Sequence, residues 1–191
     1  MDHSFTPSRQ RRSLACAMAL TAMAQALPVV AQVPAGGAHA PHPPRAPLPP
    51  LQNTDRQVLV IEGPQGLRRY TLAQLEALGV HEVTTSTFWP DDNGTYQGPL
   101  LADVLRDAGL AGAPLVRVVA LDGFSQRIPH EDWSRWPMVL ATRRNGQAMG
   151  TRSKGPLRIV YPRDMDPSLE QGIYRLRWVW MVSRIDTQHR P

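Results

Sequence analysis

Seven prolines fall between residues 32 and 55, most of them in the run Ala40-Pro-His-Pro-Pro-Arg-Ala-Pro-Leu-Pro-Pro50. Proline has a fixed φ and no amide hydrogen, so this stretch cannot sustain a helix or a sheet ladder. It reads as an extended, polyproline-like tether without a core. His39 and His42 within it are too few to make a metal site. The tether divides the chain into a leader, residues 1–31, and one domain, residues 56–187. That domain is long enough for a single hydrophobic core, and residues 188–191 read as a tail.

The leader has a polar start ending in Arg11-Arg12, then an apolar stretch from Leu14 to about Val30. Small residues at Val29-Val30-Ala31, or earlier at Ala24-Gln25-Ala26, suit a signal peptidase. This pattern predicts a secretory signal peptide and a periplasmic or secreted product. Pro28 and the short apolar length argue against a retained membrane anchor. The Arg pair fits a twin-arginine signal poorly because Ser13-Leu14-Ala15 follows it, so the export route stays open between Sec and twin-arginine.

Export removes the chain's one cysteine, Cys16, so the mature protein is expected to hold no thiolate ligand and no disulfide. The formal charge is +5, and a leader with Arg9, Arg11 and Arg12 against Asp2 leaves +3 behind. Basic and acidic residues interleave without a long basic run, which argues against nucleic acid as a partner.

Within the domain the pattern predicts an α+β fold of mixed short-stranded sheets, hairpins and a few short helices. Val58–Glu62, His81–Phe88, Leu115–Leu121, Phe124–Ile128, Met138–Thr142 and Leu157–Tyr161 read as strands. Thr71 caps a helix that buries Leu72, Leu75 and Leu78 and stops at Gly79. A second helix starts at Gly98-Pro99, buries Leu101, Val104 and Leu105, and stops at Gly109. Pro129–Trp136 reads as a helical turn. Asp122-Gly123 and Asn145-Gly146 mark hairpins, and Asp91-Asp-Asn-Gly94 a turn. The clearest alternation is Leu176, Trp178, Trp180 and Val182, which predicts a last strand with these four on one face. No GxGxxG occurs, so a Rossmann domain is not expected.

Chemistry concentrates in Lys154-Gly-Pro-Leu-Arg-Ile-Val-Tyr-Pro162. A strand entering from a Gly-Pro turn with an arginine at its mouth can hold a guanidinium over an anion. This stretch, together with Gly98-Pro-Leu-Leu-Ala-Asp-Val-Leu105, Ala120-Leu-Asp-Gly-Phe124 and Leu140-Ala-Thr-Arg-Arg-Asn-Gly146, resembles the oxidoreductase molybdopterin-binding domain in order and register. That is the catalytic fold of sulfite oxidases and periplasmic methionine sulfoxide reductases, and the resemblance covers residues 70 to 185. It implies that Arg158 faces the cofactor's anionic end. Gly172-Ile173 would contribute beside it, with Tyr174 where the family has lysine and Ser153 where it has asparagine. Lys154 and Arg152 could supply the missing charge.

The family's molybdenum-binding cysteine falls near Ser86 or Thr87. A neutral hydroxyl is a poor substitute for a soft thiolate. The resulting expectation is a non-catalytic, exported binding or accessory module, with no cofactor required. Its old pterin groove, edged by Arg158, Lys154 and the Gly172 loop, would hold an anionic small molecule or meet a periplasmic or membrane partner protein. The alternative is a molybdopterin oxidoreductase that holds its cofactor without cysteine. On either reading Arg158→Ala should weaken anion binding and leave thermal stability nearly unchanged. His81, His130 and His189 lack metal-ligand spacing, and Ser125 and Ser134 lack a nucleophile motif. The tryptophans read as core or rim packing, with Trp89-Pro90 able to line a groove.

Overall fold

The computed structural model describes Pro50 and residues 54–187; the leader, most of the tether and the tail lie outside the described residues. The element order is β1 (Gln57–Gly63), β2 (Gly66–Thr71), α1 (Leu72–Ala77), β3 (His81–Thr85), β4 (Gly94–Gly98), α2 (Leu101–Asp107), β5 (Leu115–Ala120), β6 (Ser125–Pro129), α3 (His130–Arg135), β7 (Val139–Ala141), β8 (Arg143–Arg144), β9 (Gln147–Ala148), β10 (Arg158–Val160), α4 (Gly172–Arg177) and β11 (Val182–Asp186). Strands and short helices are interspersed, which gives the α+β class expected from the sequence.

Three sheets share the core. The largest runs β2-β1-β11-β5-β6. Within it β1 and β11 pair in parallel, and the other neighbours are antiparallel. A second sheet runs β3-β4-β8-β9, and β7 pairs with β10 between buried surroundings. Alternation works as the period of a strand demands: Val116, Val118 and Ala120 of β5 are buried, as are Leu59 and Ile61 of β1. In β7 and β10 every residue is buried, so no alternation can appear there.

Local chemistry explains most element ends. The hydroxyl of Thr71 accepts from the Gln74 amide at 3.2 Å while Gln74 Oε1 accepts from the Thr71 amide at 2.9 Å, a capping box. Asn145 and Gly146 both take positive φ, 51° and 79°, as the tight turn between β8 and β9 requires.

Three expectations need correction, and two strands were not expected. The last strand does not begin near Leu176: residues 172–177 form α4, and Leu176 is 50% exposed. Only Val182–Asp186 lies beside β1 and β5, and Met181 at φ 52° breaks the extended backbone before it. Four alternating residues were too few to separate a strand from a helix end meeting a strand start. His81–Phe88 stops at Thr85, where its pairing with β4 ends. The second helix starts at Leu101, and Gly98 instead closes β4. Finally, β2 and β4 went unread, because β2 is mostly exposed and β4 carries two glycines in five residues.

Candidate functional site

The first candidate positions are Ser86 and Thr87, just past the end of β3. The Ser86 amide donates to Asp164 Oδ2 at 2.7 Å, and its hydroxyl is bonded to the same carboxylate. Arg163 donates to that hydroxyl at 2.8 Å. The Thr87 hydroxyl donates to the Trp89 carbonyl at 2.7 Å and accepts from the Trp89 amide at 3.0 Å. The Thr87 amide donates to Asn93 Oδ1 at 2.6 Å. Both hydroxyls therefore shape the chain's own loop.

This loop leads into a single turn of 3₁₀ helix, Pro90–Asp92, which turns Asp92 inward. Asp92 is 4% exposed, and its carboxylate collects three cations. Arg158 grips it with Nη1 to Oδ1 at 3.1 Å and Nη2 to Oδ2 at 2.6 Å. Lys154 Nζ lies 2.9 Å from Oδ2, and Arg144 Nη1 lies 3.4 Å from Oδ1. Arg158 also donates to the Tyr96 hydroxyl at 3.1 Å, and that hydroxyl donates to the Asp92 carbonyl. Burial alone would raise the Asp92 pKa, but hydrogen bonds from Arg158 and Lys154 outweigh it and leave it lowered.

Among the described residues Arg158 is the largest wholly buried side chain, at 0% exposure, and its Nε has no hydrogen-bond partner. It does not stand at an open strand mouth. The expectation that replacing it would spare stability is corrected by this geometry, since its charge is balanced inside the protein. The sequence placed Arg158 on a strand end, but not that Asp92, 66 positions earlier, would fold back onto it.

Beside this cluster lies a cavity of about 280 Å³ lined by Trp89, Trp178, Trp180, Phe124, Arg175 and Leu176, among others. Trp89 and Trp180 pack edge to face with centroids 4.5 Å apart. Lys154 Nζ sits 4.2 Å from the Trp180 ring centre and 5.4 Å from that of Trp89, which joins the cation cluster to the aromatic wall. The other sequence candidates contribute unequally. Gly172 and Ile173 open α4, whose Arg175 and Leu176 reach the cavity. A side chain at Gly172 would meet nothing within 4 Å, so no close backbone approach explains that glycine. Ser153 is exposed at the end of a 3₁₀ turn. Tyr174 packs against Trp136 and Tyr161.

The family model of the oxidoreductase molybdopterin binding domain matches residues 46–190. The chain belongs to this family. A search of the curated proteins finds no match. Family membership raises molybdopterin and its metal as the group to test against these residues. The metal end does not fit: the hydroxyls of Ser86 and Thr87, where the resemblance leads one to expect the family's cysteine, are already engaged, and neither is a thiolate. No group of three His, Cys, Asp or Glu side chains that could hold a metal occurs among the described residues. No helix among them is long and apolar enough to cross a membrane.

Sequence reasoning missed Asp92, Tyr96 and Arg144 because nothing in a linear pattern pairs them with Arg158. It read Trp178 and Trp180 only as packing; their cavity exists because Phe124, from the Asp122-Gly123 hairpin, meets α4 in space.

The carboxylates of this family member set an acid limit. Asp166 is lowered to about 2, chiefly by hydrogen bonds from Ser168 and then from Trp136, and Asp92 is lowered too. Depressed carboxylates stabilise the fold above their unfolded pKa and lose that contribution as pH falls through the folded value. Asp132 acts in the opposite direction, because burial raises its pKa and protonation favours the folded state. Urea melts between pH 5 and pH 2 should show stability falling below about pH 4. In Asp166→Asn the fall should be shallower, and an unchanged slope would remove Asp166 as a source.

Proposed function

We propose that this molybdopterin-fold domain is an exported, non-catalytic binding or accessory module. The observation that carries the proposal is the state of the cysteine position. Ser86 and Thr87 offer only neutral oxygens, and those oxygens are held by Asp164, Arg163 and the Trp89 backbone. Oxygen-atom transfer needs a metal held in a defined ligand field, and these side chains do not supply one. The apolar leader and proline tether support export, with the domain displayed at some distance from its processing site.

The test is to express the full chain in a molybdenum-replete host and isolate it from the periplasm. Molybdenum is measured by mass spectrometry, and pterin by fluorescence after oxidation. The expected result is recovery from the periplasm with molybdenum far below one atom per chain. One molybdenum per chain would overturn the non-catalytic reading and favour an oxidoreductase that holds its cofactor without cysteine.

A further inference from the structure

We propose that the cavity walled by Trp89, Trp178, Trp180 and Phe124 is a binding site for a planar aromatic anion of one or two fused rings. This inference deepens the reading of the domain as a binding module and rests on it.

Size sets the first limit. At about 280 Å³ the cavity lies just below the range usual for drug-sized ligands, so it suits a compact ring. Shape sets the second. Three indoles and a phenyl ring offer flat faces and edges, and flat partners gain most from offset or edge-on stacking. Phe124 and Leu176 also line the cavity while remaining 43% and 50% exposed, which leaves apolar surface at the entrance for a ligand to cover.

Charge decides between ligands of the same shape. An aromatic box with a carboxylate at its rim, here Asp122, would ordinarily suit a quaternary ammonium. These rings are already occupied by the protein's own cations. Lys154 lies over Trp180 and Trp89, the Arg158 guanidinium lies 5.7 Å from the Trp180 ring centre, and Arg175 lies 5.6 Å from that of Trp89. Lys154, Arg158 and Arg175, the cations over these rings, stand against Asp92 and Asp122, so positive charge is in excess beside the cavity. A cationic ligand would be repelled, and an anionic ring would find Arg175, an exposed residue, free to turn toward it.

The experiment uses the mature chain and three probes of matched shape: 2-naphthoate, 2-naphthamide and a 2-naphthyl-trimethylammonium salt. Binding is followed by titration calorimetry and by quenching of tryptophan fluorescence. We expect saturable one-to-one binding in the order anion, amide, cation. Arg175→Ala should weaken 2-naphthoate about fivefold and leave 2-naphthamide unchanged, the size expected for an exposed charge contact. Phe124→Ala should weaken both probes, and Arg127→Ala, an exposed charge on β6 away from the cavity lining, should weaken neither. Arg175 and Phe124 are both exposed, so their variants retain the fold. No saturable binding, a cation bound as tightly as the anion, or affinity indifferent to both cavity variants would overturn the site. The molybdenum measurement is independent of these titrations, so failure of the site is distinguishable from failure of the non-catalytic reading.

Discussion

Arg158→Ala should destabilise the domain by about 3–5 kcal/mol, because it breaks a buried ion pair from one side. Arg158 has no exposed surface and Asp92 almost none, so neither group can recover its hydration when the other is lost. For a domain of this size that loss corresponds to a fall in melting temperature of roughly 10–20 °C. Asp92→Asn should cost a comparable amount, since it leaves Arg158, Lys154 and Arg144 facing one another without their shared carboxylate. The combined Asp92→Asn, Arg158→Met variant should recover much of the loss. Both buried charges are then gone, and Lys154 and Arg144, with side chains 29% and 27% exposed, can turn toward water. Thermal melts of the three variants test this directly. A melting temperature within a few degrees of the parent for Arg158→Ala would show that the pair contributes little to stability.

Gly98→Ala should be damaging for so small a substitution, at about 3 kcal/mol and a fall of roughly 10 °C. Gly98 ends β4 where that strand meets the backbone of residues 140–142. Around it the Thr142 amide donates to the Gln97 carbonyl at 2.9 Å, and the Leu140 amide donates to the Pro99 carbonyl at 2.9 Å. A methyl group there would overlap the Leu140 carbonyl oxygen and lie 2.9 Å from the Thr142 nitrogen. The opposing strand is held in turn by β10, so backbone rather than a flexible side chain would have to move. Gly112→Ala is the control: nothing lies within 4 Å of its position, and its melting temperature should stay close to the parent's. Equal melting temperatures for the two variants would remove close strand packing as the reason for Gly98.

The same glycine shows how motif and mechanism can part. Gly98-Pro99 was legible as a fragment resembling the family, and the family match bears the resemblance out. Its place at a helix start was not correct. Proline and glycine mark a break in regular structure, but which side of the break is helix depends on what packs there, and here Gly98 is paired with His81 across the sheet. Trp178 and Trp180 failed in a similar way. The alternation is one of residue type alone: Leu176 is exposed, Trp178 and Val179 are both buried, and no strand pairs there until Val182.

From sequence alone a leader and a proline tether are expected ahead of the domain. Hairpin turns, helix caps and motif order, each carried by short-range patterns, were enough to reach the α+β class and its family. The sequence also sufficed to show that the domain contains no thiol. Tertiary structure alone decided what the basic residues do. A charge on a strand end looks the same in sequence whether it meets solvent, a ligand or another side chain. The difference here is Asp92, brought beneath Arg158 by a single 3₁₀ turn, and a cavity assembled from a hairpin, a loop and a helix distant in sequence. Electrostatic energy depends on distance and burial in three dimensions, and neither is written in the order of residues.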